Sequence, residues 1–424
     1  MKVLPVAWGV LLVVVPQVRG ATATGWESVP DSPAGPRAFH SAVWTGEEMV
    51  VWGGADSGKL RADGAAYDPS TDRWRLVSEG PLAGRTGHAA VWTGREMVVW
   101  GGCCDARARE FADGAAYDPT ADRWRSLPRA PLSVRTGHTA VWTGDEVLVW
   151  GGQVFGRVFA DGAAYDPVRD RWRSLPSSPA SSRFGHTAVW TGSEMVVWGG
   201  ADARGVVADG AAYDPEVDAW REIAGAPVPS RTGHTAVWTG QEVLVWGGCC
   251  DAHGAELADG AGYEPDGNRW DALPPSPLAA RQAHAAVWTG TEMAVWGGRT
   301  GLDRYPEEGA SYDPPGRSWR PLPEAPIGPR AGHTAVWTGE TAIVWGGCCA
   351  TGQRSLEDGA RLLRTAAGSV TPDSGVTETP ATSPPQSAAD EREQGTATPV
   401  LVGLLVLVGL ALLGVLIRRA RARR

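Results

Sequence analysis

Apolar runs of four or five residues, each closed by a small turn, recur in one order along most of the chain. In the third copy, His138 to Trp142 is a short apolar strand, Thr143 and Gly144 a turn, and Val147 to Trp150 a second, more apolar strand ending at Gly151 and Gly152. Two such runs around a tight turn read as a hairpin. After a loop, Asp161 to Tyr165 opens a third strand, Asp166 and Pro167 make a turn, and Arg171 to Arg173 gives a fourth. The resulting four-stranded antiparallel sheet has two apolar faces and cannot bury both alone, so copies of it must stack.

Copy number and spacing fix what the stack becomes. The phrase Arg-x-x-His-x-Ala-Val-Trp-Thr-Gly occurs seven times, with its histidine at His40, His88, His138, His186, His234, His284 and His333. The double glycines run from Gly53 and Gly54 to Gly346 and Gly347. A period of about fifty residues repeated seven times predicts sheets closed into a ring. Each double glycine is followed by a tyrosine, as at Tyr67, and seven residues later by a tryptophan, as at Trp74. This pattern resembles the kelch repeat signature over about residues 24–364. The resemblance implies an all-β, seven-bladed kelch-type β-propeller. Two departures stand out: the fifth copy reads Tyr263, Glu264, Pro265, and the seventh has Leu362 for the tyrosine and no downstream tryptophan. Trp26 precedes His40 by the same fourteen residues that separate Trp74 from His88, so an N-terminal strand is expected to complete the last blade and close the ring.

The ends carry different signals. Residues 1–20 hold one lysine, an apolar run from Val3 to Val15 and small residues near Gly20, which reads as a secretory signal peptide. Residues 21–364 are the propeller. Residues 365–398, rich in Ser, Thr, Pro, Ala and acidic side chains, cannot build a core and read as a disordered stalk. Residues 399–417 are uncharged and long enough, at roughly 28 Å as a helix, to cross a bilayer once. The five arginines of residues 418–424 place that tail in the cytoplasm and the N-terminal domain outside the cell membrane. Taking away the seven cations of the leader and tail moves the formal net charge from −9 to −16, which disfavours nucleic acid as a partner. Two lysines, one asparagine and four isoleucines in 424 residues suggest a GC-rich, bacterial genome.

Comparison among the copies separates scaffold from variable surface. Thirteen residues always separate the histidine from the first glycine, eleven the acidic-Gly pair from the tryptophan, and fourteen the tryptophan from the next histidine. All length variation falls between the double glycine and the acidic-Gly pair, in loops of 8, 10, 8, 8, 10, 9 and 10 residues joining second and third strands. Loops on a rigid scaffold carry function, so a ligand-facing rim is expected there. Its candidate ligand-binding side chains are Arg107, Arg109, Phe155, Arg157, His253, Arg299, Arg304, Tyr305 and Arg354. Arginines with aromatics suit an anionic or sugar-like ligand. Solvated loop charge is the competing reading.

The six cysteines are three adjacent pairs, Cys103 with Cys104, Cys249 with Cys250 and Cys348 with Cys349, each opening a ten-residue loop. In an oxidising compartment each pair is expected to bond to itself, a strained ring that stiffens the loop base. Adjacent cysteines lack the spacing of zinc knuckles, so no metal and no cofactor is expected even beside His253. The seven histidines are read as structural, tying the start of the innermost strand to backbone. The tryptophans are read as packing between blades. A binding module for a glycan, peptide or protein is the leading functional reading, with the extracellular ligand unspecified. A carbohydrate-modifying enzyme of the galactose oxidase or sugar mutarotase kind is one alternative by resemblance, though no copper-site set or catalytic residue can be mapped here. A structural subunit of an envelope complex is the other. Fold alone does not choose among them.

Overall fold

The computed structural model describes residues 25–104, 110–250, 254–301, 303–348 and 354–363. The expected signal peptide, stalk, membrane helix and basic tail lie outside the described residues. Among the described residues no helix is long and apolar enough to cross a membrane.

Seven four-stranded antiparallel sheets account for the repeats. In blade 1 the strands, from the inside outward, are Ser41–Trp44, Met49–Trp52, Gly64–Asp68 and Arg73–Leu76. Blade 3 follows the same order with Thr139–Trp142, Val147–Trp150, Gly162–Asp166 and Arg171–Ser174. The second strand is buried along its whole length in blade 3, whereas the outer strand is exposed at both ends. The reason is position: the second strand has a hydrogen-bonded neighbour on each edge and another blade over each face. It therefore reads as a continuous apolar run rather than an alternating one.

The period-two alternation instead decides which neighbour each side chain meets. Val98 and Trp100 pack against blade 3, on Val147, Val149, Ala163 and Tyr165, while Met97 and Val99 pack back on blade 1. Trp100 is 1% exposed and its ring centroid lies 6.0 Å from that of Trp172 in the next blade. Trp172 in turn donates from Nε1 to Pro128 O at 3.0 Å. Each seam thus joins a fully buried indole to a half-buried one whose N–H is satisfied by the preceding blade.

Blade 7 draws on both described ends of the chain. Its strands Thr334–Trp337, Thr341–Trp345 and Gly359–Leu363 are joined at the edge by Trp26–Val29, with Trp26 opposite Leu362 and Val29 opposite Gly359. Trp26 donates to Pro323 O at 3.0 Å and lies 5.8 Å from Trp296, repeating the seam pattern of the other outer-strand tryptophans. Val336, Ile343 and Trp345 pack on Met49, Val51 and Tyr67 of blade 1.

This strand order gives the ring two unlike rims. The long loops between second and third strands share one rim with the connections between blades. The tight Thr-Gly and Asp-Pro turns share the other. Gly25 and Leu363 are both at the turn rim, where Leu363 N donates to Gly25 O at 3.0 Å.

Candidate functional site

The loop rim stands on a base of buried polar groups. Seven arginines, Arg37, Arg85, Arg135, Arg183, Arg231, Arg281 and Arg330, are wholly buried. Arg135 donates from Nη1 to Gly151 O at 2.9 Å and forks onto Asp161 at 2.9 and 3.1 Å, with the Phe159 ring 4.3 Å away. A guanidinium can cap the loop carbonyl and the acidic-Gly pair at once because its donors are fixed in a plane. This explains why the double glycine and the acidic-Gly pair recur together.

The histidines bind differently from the sequence expectation. In five of the seven copies Nε2 meets a hydroxyl on the preceding blade rather than backbone: His88 with Ser41 at 2.9 Å, His186 with Thr139 at 2.8 Å, His234 with Thr187 at 2.9 Å, His284 with Thr235 at 2.9 Å, and His40 with Thr334 at 2.8 Å. His138 faces Ala89, which has no hydroxyl, and turns to Trp100 O at 3.2 Å. Each ring also stands edge-on to the preceding blade's buried tryptophan, as His186 does on Trp150 at 5.1 Å. Burial first and the neighbouring arginine second push the pKa of His88, His138, His234, His284 and His333 down to about 3, and those of His40 and His186 well below the ordinary value. The histidines are neutral at physiological pH and are interblade struts. The double glycine makes room for them: a Cβ on Gly151 would lie 2.7 Å from His186 Cε1, and its φ of 71° is one that L side chains rarely adopt.

Loop length selects loop structure. The eight-residue loops of blades 1, 3 and 4 fold as two-residue hairpins: Ala55–Asp56 with Lys59–Leu60, Gln153–Val154 with Arg157–Val158, and Ala201–Asp202 with Gly205–Val206. Among the described residues, the ten-residue loops carry isolated bridges, Cys103 with Glu110, Cys249 with Glu256 and Cys348 with Ser355. There Cys103–Cys104 and Cys249–Cys250 are disulfides with Cα atoms 3.5 and 3.7 Å apart. Cys348 is not free, and Cys349 lies outside the described residues. Cys103 and Cys249 are buried against the interblade connection, pairing with Thr86 and Thr232.

Of the candidate ligand-binding residues, Arg107, Arg109 and His253 lie outside the described residues. Phe155 is 79% exposed at the tip of the blade 3 hairpin, with Arg157 exposed beside it and 5.4 Å from the Phe159 ring. Arg304 is exposed and Arg299 half-buried in blade 6, and the half-buried Tyr305 has its pKa raised by burial. Arg354 is exposed in blade 7. The blade 6 and 7 residues are neighbours around the ring, while the blade 3 pair is separated from them by blades 4 and 5. They share a rim and not a single pocket. Among the described residues no group of three or more His, Cys, Asp or Glu side chains is placed to hold a metal ion.

The sequence reading missed the mouth of the channel. The residue before each histidine has a left-handed backbone, from φ 54° at Ala283 to 66° at Gly137, and forms a collar in which Phe39 N donates to Gly332 O at 2.9 Å and Gly185 N to Gly137 O at 3.1 Å. Phe39 is 44% exposed in this collar at φ 57°, where five of the seven copies have glycine. That departure from the repeat was the available signal. Behind the collar, a cavity of about 530 Å³ is walled by the Ala-Val-Trp segments of the inner strands, including Trp44, Trp190 and Trp337. Its walls carry no acid, base or nucleophile.

Residues 108–351 match the family model described as Attractin/LZTR1 beta-propeller. A search of curated proteins finds no match. The match spans more than half of the chain and coincides with the kelch-like blades, so the chain belongs to the Attractin/LZTR1 beta-propeller family.

Proposed function

We propose that the propeller is an interaction module that presents its loop rim to an extracellular glycan, peptide or protein. In this reading residues 365–398 are a stalk, residues 399–417 the membrane anchor, and the blades face away from the cell. The fold and its family suit an interaction module. The outward rim is supported by the described chain ends, which leave from the turn rim and so free the loops. The pairing of Trp26–Val29 with blade 7 supports a ring closed by the N-terminal strand.

The observation that carries the reading is Phe155. It leaves a phenyl ring 79% exposed and holds it at φ 45°, a backbone conformation costing about 1 kcal/mol or more for such a residue. Neither cost helps the fold, and both are offset when the ring enters a partner's pocket. The test is selection of ligands from peptide and glycan libraries on the immobilised full chain. Their binding should fall at least roughly tenfold with Phe155→Ser or with Arg304→Ala and Tyr305→Ala together, since anchor residues dominate interfaces. It should survive Glu47→Gln on the turn rim. Ligands indifferent to the loop changes would contradict the reading.

A further inference from the structure

Four seams between blades carry the same suture near the turn rim. In the first, Arg75 lays its guanidinium on Glu48, with Nε 2.9 Å from Oε1 and Nη2 2.6 Å from Oε2, and donates from Nη1 to the hydroxyl of Tyr117 in the next blade at 3.0 Å. Arg125 with Glu96 and Tyr165, Arg173 with Glu146 and Tyr213, and Arg221 with Glu194 and Tyr263 repeat the arrangement. A carboxylate taking the fork, with a phenol taking the third nitrogen, is a guanidinium site by both shape and charge.

The seam between blades 5 and 6 keeps the acceptors and lacks the arginine. Glu242 and Tyr312 stand at the repeat positions of Glu48 and Tyr117, but the arginine position is Asp271. Tyr312 is 1% exposed, and among the described residues neither its hydroxyl nor the Glu242 carboxylate has a hydrogen-bond partner. In blades 1 to 5 an Asp or Asn accepts the tyrosine hydroxyl, as Asp122 does from Tyr117 at 2.6 Å. Blade 6 has Arg317 there, exposed and held at φ 44°, donating from Nη2 to Ala272 O at 2.8 Å. Gly262 replaces the alanine of blades 1 to 4, and the Glu242 carboxylate leans into the space its methyl would fill. Burial raises the Glu242 pKa, Arg317 lowers it, and Asp271 and Glu264 raise it further, which marks a carboxylate short of a cation.

We propose that this seam is a receptor site for an arginine side chain of a partner polypeptide, held by Glu242 and Tyr312 as the chain's own arginines are held at the four sutured seams. An incoming guanidinium draws Glu242 off Gly262, gives Tyr312 its missing partner and meets Asp271 as a second anion. A lysine ammonium cannot span both acceptors with the same fork. The site opens near the turn rim, so it is separate from the loop-rim reading above and stands or falls independently.

The test titrates the full chain with Nα-acetyl-arginine amide and its lysine counterpart, followed by ligand-observed NMR. Arginine should bind saturably, and lysine roughly tenfold more weakly. Arg317→Asp should tighten arginine binding by supplying the carboxylate that takes Nη1 at 3.0 Å from Arg125 and Arg173. Asp271→Arg combined with Arg317→Asp rebuilds the suture. That variant should melt no lower than the parent and bind neither compound. Equal binding of arginine and lysine, no saturation by either, or undiminished arginine binding to the rebuilt variant would overturn the proposal.

Discussion

At the scale of single residues, the buried rings and guanidinia dominate. Burial holds the folded histidine pKa at about 3 in five copies and well below the ordinary value in the other two. The unfolded value is about 6.5, so the folded state binds fewer protons. The stability these groups contribute is present above pH about 6.5 and is lost as pH falls toward 3, at about 1.4 kcal/mol per pH unit for each histidine that must stay neutral. Equilibrium unfolding between pH 6 and 4 should therefore steepen with acid, and His138→Gln should remove about one proton's worth of that slope. An unchanged slope would mean that the ring is protonated in the folded state. Arg135→Ala should cost about 3 kcal/mol in denaturant unfolding, because it orphans Gly151 O and empties the space of a wholly buried side chain, while the ion pair with the half-exposed Asp161 adds little. A loss below about 1 kcal/mol, as for a surface pair, would contradict that role. The histidine partners could have been read from the sequence: Ser41, Thr139, Thr187, Thr235 and Thr334 each follow the histidine of their own blade and meet that of the next, while Ala89 and Ala285 do not offer a hydroxyl. Repetition at a neighbouring position was the signal, and it became meaningful only once the blades were seen side by side.

At the scale of elements, strands and loops differ in how far the sequence determines them. Thirteen, eleven and fourteen residues between landmarks leave no freedom in strand length, so the four strands of each blade were legible down to their order. Loop lengths were equally legible, but their conformations were not, because a hairpin in Gln153 to Val158 depends on Phe155 and Gly156 both adopting positive φ. The seam between blades 5 and 6 was overlooked for a related reason. Asp271 and Arg317 are 46 residues apart, and each looks like an ordinary surface charge until the two sit on one seam. Deleting residues 21–30 should lower the melting temperature and promote aggregation, since it removes Trp26–Val29 and bares the edge of Gly359–Leu363. A truncated chain that melts with the intact one would show that blade 7 stands on three strands. For the cysteine pairs, native protein treated with an alkylating reagent should gain no mass before reduction; six adducts would refute the three vicinal disulfides.

At the scale of the whole molecule, seven copies of one sheet make a propeller whose rims are chemically different. The turn rim is uniform in turn length, sutured at four seams by Arg–Glu–Tyr contacts and shared by the two described chain ends. The loop rim varies in length, disulfide content and exposed aromatics, on a base of buried arginine and histidine that does not vary. The cavity between them is walled by alanine, valine and tryptophan. In the proposed reading it is the loops that meet the ligand. The most direct measurement is hydrogen exchange of the full chain with and without a library-selected ligand. Protection is expected in the loops joining second and third strands, foremost in blades 3, 6 and 7. Protection confined to the Thr-Gly and Asp-Pro turns, with the loops unchanged, would contradict the account.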